Sequence, residues 1–242
     1  MSSLDQKFKQ ATEASLKRWR IAEAIATPEL VKGMLAIDEI SRHEPDIVKK
    51  LDGEVTLEVS PTERAQPSRL WPVIVHVKIV ESSTDADVIR AGKRVGKLAA
   101  LEEHKIMFES LKKHGTPMKV TQMTEDEMMR AIDIVSELGY DDVVILVNPT
   151  VKYDMILKEK LFPAWTQANE EKSAFYAGML FGHKCYWSPE ILDNSFFVIA
   201  KGSVGVKWTQ PAITFRSTSV GFREDMVCWC IDREGVHVLT KS

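Results

Sequence analysis

The sequence predicts an α+β protein whose helical and strand-rich parts are joined by an extended ribbon. Three observations lead there. Apolar residues recur at helical spacing over 4–41 and again over 88–113. Within 53–80 two runs, Val55–Val59 and Val73–Ile79, place apolar residues at every second position, and from residue 183 onward strand follows strand. A change of period from about 3.6 to 2 and back marks where one kind of element gives way to the other.

Residues 4–26 read as an amphipathic helix. Leu4, Phe8, Ala11, Leu16, Trp19 and Ala22 form its apolar side, and Lys7, Lys9, Lys17, Arg18 and Arg20 are basic. Residues 1–26 hold five basic and three acidic side chains, a local excess of two positive charges. That face is either solvated, or part of an arm that lies along a neighbouring subunit or faces packaged material. A second helix is predicted over 28–41, with Thr27 as N-cap and Pro28 in its first turn. Asp52-Gly53 is a turn signal.

In the ribbon, Val55, Leu57 and Val59 form one alternating run, and Val73, Val75, Val77 and Ile79 the other. The stretch between them is polar and includes Pro61 and Pro67. A ribbon of two strands alone is marginally stable in water, so it needs a neighbour from its own chain or another. After the polar linker 81–87 comes the longest helical pattern, 88–113, ended by Gly115 and Pro117. Such a helix is about 40 Å long. Its apolar stripe is Val88, Val95, Leu98, Leu101, Ile106, Phe108 and Leu111.

Thr124 and Glu127 have the spacing of a capping box opening a helix over 125–138, which Gly139 closes. The continuous apolar run Val143–Val147 reads as a buried central strand. Asn148-Pro149-Thr150 starts a helix to about residue 160, and another is expected around 168–178. Strands are predicted at 183–187, 196–200, 204–208, 212–215, 226–231 and 236–240, the last two joined by the turn Asp232-Arg-Glu-Gly235.

Composition narrows the function. With 44% hydrophobic residues in 242, the chain can bury a substantial core. A net charge of −3 gives no overall field for nucleic acid or membrane, while leaving room for a basic patch. Three cysteines, 185, 228 and 230, form no even-numbered framework and favour a reducing compartment. Residues 1–10 are unlike a secretory signal, and no run of about eighteen apolar residues exists to span a membrane. The expectation is a soluble cytoplasmic protein.

Motifs that carry chemistry are scarce. Gly92-Lys-Arg-Val-Gly96-Lys97 has three residues between its glycines where a phosphate loop has four, lacks the following Ser or Thr, and sits in a helical pattern. Cys228-x-Cys230 has the wrong spacing for a zinc pair and reads as two small buried side chains. His104 belongs to no HExxH motif, and Ser188-Pro189 sits in a turn without a partnered histidine. Trp71, Trp187, Trp208 and Trp229 read as core or interface anchors.

The order of elements resembles the Hong Kong 97 capsid fold of tailed-phage major capsid proteins, archaeal virus-like particles and encapsulins. The phrases that carry the resemblance are the ribbon 53–80, the long helix, Asp141-Asp-Val-Val-Ile-Leu-Val-Asn-Pro149, Gly182-His-Lys-Cys-Tyr-Trp-Ser-Pro189, and Phe222-Arg-Glu-Asp-Met-Val-Cys-Trp-Cys-Ile-Asp-Arg-Glu-Gly-Val-His-Val-Leu239. The resemblance implies an N-terminal arm over 1–52 and an E-loop over 53–80. It implies a peripheral (P) domain with a spine helix from 81–117 and 213–242, and an α/β axial (A) domain over 118–212. It implies no catalytic residue, cofactor or metal. Its function is a self-assembling icosahedral shell, viral or proviral, with packaged nucleic acid or a cargo protein inside and no membrane. Such a shell is a virion capsid assembled in the host cytoplasm, or alternatively an encapsulin-type cytoplasmic nanocompartment. On this reading Leu57, Val59, Arg64, Arg69 and Trp71 make inter-subunit contacts, and Lys7, Lys9, Lys17, Arg18 and Arg20 belong to an arm facing the interior. No counterpart of the family's lysine–asparagine cross-link is recognisable. From other classes, a small α/β enzyme built on 118–190 and an oligomeric binding protein with a dimerising ribbon remain as alternatives.

Overall fold

A computed structural model describes residues 13–26, 28, 30, 70–80, 84–140, 142–163, 175–192, 195–208, 212–216 and 218–241. They fall into two compact units, one within Met1–Met34, Trp71–Glu103 and Trp208–Met226, the other within Leu35–Leu70, His104–Lys207 and Val227–Ser242. Residues 4–12 of the first expected helix lie outside the described residues. So do most of the second helix and the first run of the ribbon.

In the first unit, helix α1 (13–26) lies against the start of α2 (Asp85–His114). Gly92 allows the approach: a Cβ there would sit 3.2 Å from the Ala22 carbonyl oxygen and 3.4 Å from the Ile25 Cβ. Ala22 and Ala26 are buried. Trp19 Nε1 donates to the Ile213 carbonyl at 2.8 Å, and Lys17 Nζ lies 3.0 Å from the Asp85 carboxylate.

The long helix starts three residues earlier than its apolar stripe predicts, because Thr84 and Asp87 cap it reciprocally. The Thr84 N–H donates to Asp87 Oδ2 at 2.8 Å, and the Asp87 N–H donates to Thr84 Oγ1 at 3.3 Å. The Thr84 backbone bond, the Thr84 hydroxyl and Arg90 hold the Asp87 carboxyl at about 2. Thirty residues at 1.5 Å each make α2 about 45 Å long.

Strand β1 (Trp71–Lys78) pairs antiparallel with β10 (Ser219–Cys230) along its whole length, from Trp71 opposite Met226 to Lys78 opposite Ser219. Val73 and Val75 face inward, while Ile74, His76 and Lys78 are exposed. Strand β9 (Ala212–Arg216) also pairs antiparallel with β10. Strand β8 (Val204–Trp208) completes this four-stranded sheet, and it too pairs with β10. Flanked in this way, β10 begins seven residues before the predicted start at 226.

The second unit is organised by a seven-stranded mixed sheet. Its strands are β2 (Thr116–Val120), β3 (Val143–Val147), β4 (Leu161–Pro163), β5 (Tyr176–Leu180), β6 (His183–Trp187), β7 (Ser195–Ala200) and β11 (Val236–Lys241). Their order is β2-β11-β7-β3-β6-β5-β4. Central β3 runs parallel to β6 and antiparallel to β7, and all five of its residues are buried. On one face, Val143, Ile145 and Val147 pack with Met128, Ala131, Ile132 and Val135 of α3 (Glu125–Glu137). Val151 and Met155 of α4 (Pro149–Leu157) join the same core.

The caps of these helices follow the sequence signals. Thr124 Oγ1 accepts from the Glu127 N–H, Gly139 follows α3 at φ +91°, and Asn148 Oδ1 accepts from the Val151 N–H at 2.7 Å. The helix expected over 168–178 is not what the described part shows: residues 176–180 are β5. Strand β5 pairs with β4 and β6, and Phe181 (φ +51°) and Gly182 (φ +84°) make the two-residue hairpin turn to β6. Positive φ at both positions is the primed turn that matches strand twist, so Gly182 belongs to a hairpin between β5 and β6.

Gly205 in β8 lies beneath the Trp229 indole, and a Cβ there would be driven into the ring. Gly205→Ala is expected to destabilise the protein by about 1–3 kcal/mol through overpacking, measured by urea denaturation.

Candidate assembly surfaces

The sequence predicts contact surfaces and no catalytic centre, so the exposure of apolar and charged groups is the property to read first. Of the predicted contact residues, Trp71 is described. It stands 52% exposed at the start of β1, next to Leu70 at 44%, with Ile74 at 49% further along the strand. Leu57, Val59, Arg64 and Arg69 lie outside the described residues, as do Lys7 and Lys9 of the arm. Lys17 and Arg18 both turn toward Asp85 in the first turn of α2, at 3.0 and 3.8 Å, and Arg20 is exposed.

A second exposed apolar group, not anticipated from sequence, belongs to the second unit. Tyr153 and Leu157, one turn apart on α4, are 61% and 83% exposed, and Phe162 on β4 is 64% exposed. Helix α4 packs beside β4, the edge strand of its sheet. An apolar residue in a short helix reads as core, so nothing local marked these three.

The His104–Ser188 pair and the three cysteines are buried. His104 Nδ1 and Ser188 Oγ lie 3.3 Å apart, so the reading of Ser188 as lacking a partnered histidine is corrected. The partner comes from 84 residues away, a distance at which local spacing carries no signal. Both side chains are at most 1% exposed, Ser188 Oγ accepts from the Glu190 N–H, and the imidazole meets Phe175 edge-on at 4.6 Å. Burial pushes the Cys230 thiol up to about 12 and raises Cys185 and Cys228 likewise, so all three remain thiols. The two in β10 are the small buried side chains expected. Among the described residues, no three His, Cys, Asp or Glu side chains gather as metal ligands, and no helix is long and apolar enough to cross a membrane.

No protein-family model and no curated protein matches the sequence. Solved structures do match the fold. A virus-like particle protein from Pyrococcus furiosus aligns over 70% of this chain and 75% of its own, at 11% identity and a TM-score of 0.52. The capsid protein of an empty GTA particle aligns over 78% of this chain and 79% of its own, at 10% identity and a TM-score of 0.50. This is the Hong Kong 97 capsid fold. The mixed architecture with one dominant helix, expected from the order of elements, is what the structure has.

Within this Hong Kong 97 fold, one buried acid is exposed to a pH test. Glu224 of β10 is 3% exposed, and its Oε1 has no hydrogen-bond partner among the described residues. Burial raises its carboxyl above the ordinary 4.5, the Asp225 charge adds to the rise, and the Glu103 carboxyl beside it opposes it. A carboxyl raised in the folded chain binds its proton more tightly there than when unfolded. Its destabilising effect is absent below 4.5 and sets in as pH rises through the folded value. Glu224→Gln should therefore gain thermal stability over the wild type by a margin that widens from pH 4.5 toward pH 8. A margin constant across that range refutes the assignment.

Proposed function

We propose that this chain is the subunit of a closed protein shell, a capsid-type container built from many copies of itself. The observation that supports this most is the fold, which it shares with a virus-like particle protein and with the capsid protein of a GTA particle. On this reading α2 is the spine of a P domain made from 81–117 and 213–242, and 118–212 form the A domain. Residues 1–52 are the arm and 53–80 the E-loop. The shell is a viral or proviral capsid with nucleic acid inside, assembled in the host cytoplasm, and no enzymatic step is assigned to it.

Physically, the ribbon is the joint. Among the described residues β1 pairs with β10 on one side only; it carries half-exposed Trp71 and Ile74, and half-exposed Leu70 precedes it. An edge strand with exposed apolar side chains is a liability in a monomer and a ready contact in an assembly. The E-loop lies over a neighbouring subunit, with Leu57, Val59, Arg64, Arg69 and Trp71 in contact. A repeated heterologous contact that closes under rotation gives rings, and rings of five and six close into a shell.

Size-exclusion chromatography with light scattering, followed by negative-stain microscopy, tests the reading on the chain expressed alone. Closed particles of megadalton mass are expected, and a stable monomer or dimer at high concentration counts against spontaneous assembly. Copurified nucleic acid would mark a capsid; a dedicated protein cargo would mark a nanocompartment. Deleting residues 60–70 should leave a folded monomer or small oligomer, and unchanged particles would overturn the E-loop assignment. Trp71→Ala should raise the concentration needed for assembly by about 30-fold, the equivalent of a 2 kcal/mol anchor per contact.

A further inference from the structure

We propose that the exposed side of α2 formed by Arg90, Lys93, Arg94 and Lys97 binds the phosphate backbone of nucleic acid. The inference deepens the shell reading by naming a surface for the shell's contents. These four cations fall within eight residues, and no acidic residue occurs between Val88 and Leu101, in a chain whose net charge is −3. The positive charge is therefore concentrated and not a reflection of composition.

Helical geometry places the four together. At about 100° per residue they share a sector of roughly 100°, and Lys93 and Lys97 are separated by about 6 Å along the axis. The opposite side, Gly92, Gly96 and Ala99, is buried, with Gly92 against α1. All four basic residues are exposed. Arg90 pairs with Asp87 at 2.5 Å, whereas Lys93, Arg94 and Lys97 have no ion pair or hydrogen bond among the described residues.

The two acids that open the same helix are already engaged. Asp85 is met by Lys17 and Arg18, and Asp87 by Arg90, so both carboxylates of the first helical turn are neutralised before a phosphate arrives. The chemistry fits phosphates better than other anionic partners. A membrane surface or an amphipathic peptide needs an apolar face alongside the cations. Here the only large exposed apolar side chain flanking the four cations among the described residues is Leu98, 37% exposed, too little for an apolar face. Cations suffice for backbone-positioning contacts without base readout.

Fluorescence anisotropy of the full chain with a labelled 30-bp DNA duplex, between 50 and 200 mM salt, tests this. Each phosphate contact contributes about 0.9 to the slope of log affinity against log salt, so K93Q/R94Q/K97Q should flatten that slope by about 2.7 and weaken binding at least about tenfold at the low-salt end. K112Q/K113Q/K119Q removes the same charge from other exposed positions and should leave slope and affinity close to wild type. The proposal is overturned if the wild type does not bind, if the first variant keeps its slope, or if both variants lose it equally. Particle mass is read separately on the same proteins. Particles from the first variant that copurify with less nucleic acid support the proposal. Duplex binding by a chain that forms no particles also supports this surface, while overturning the shell reading.

Discussion

Backbone pairing by the last strands of the chain is the constraint on which the two sheets depend. Strand β10 supplies partners to β1, β8 and β9, and β11 sits between β2 and β7. Without β10, the eight residues of β1 have no described strand partner; without β11, β2 is cut off from its sheet. Unpaired buried amides cost more than the net value of the bonds they would make, so these late strands decide whether the early ones are tolerable. Trp71 opposite Met226 is a contact between distant parts of the sequence, and such pairings bear the loop-closure cost before any burial rewards it. Slow, cooperative folding follows from that topology. A strand left waiting for β10 is also a strand open to pairing with another copy.

Elements defined by neighbouring residues were legible in the sequence. The cap at Thr124, the glycine stop at 139, the buried run of β3 and the strands 183–187 and 204–208 all depend on local steric and hydrogen-bonding rules, and they stand where those rules put them. What depends on distant partners was misread. The Thr84–Asp87 box lay in a stretch taken as polar linker, because a cap needs only one turn and leaves no apolar stripe. Residues 176–178 were read as helix because their strand character comes from β4 and β6, not from their own composition.

The candidate surfaces were legible to a smaller degree. Trp71 could be singled out because a tryptophan beside an alternating strand is conspicuous, and it is half exposed. Tyr153, Leu157 and Phe162 could not, since exposure is a property of the packed sheet and its edge. The cluster around Lys93 was noticed for its glycines and set aside as a false phosphate loop. Its cations became meaningful only once Gly92 and Gly96 were seen to be buried, which turns the intervening basic side chains outward.

Two opposite demands meet on those two turns of α2, and their costs argue for a role beyond packing. Glycine inside a helix is less favourable than alanine by about 1 kcal/mol, and the helix carries two within five residues. The close approach of Ala22 and Ile25 at Gly92 accounts for the first cost, because a side chain there would hold α1 away. Like charges at Arg90 and Arg94, and at Lys93 and Lys97, each oppose helix formation by about a few tenths of a kcal/mol. Nothing in the fold requires them: no described carboxylate answers Lys93, Arg94 or Lys97, while Asp85 and Asp87 are already taken by Lys17, Arg18 and Arg90. A helix that fulfilled only its structural task would do better with alternating signs on its exposed side. Local rules broken without a compensating contact among the described residues are what a surface shaped by an outside partner would show.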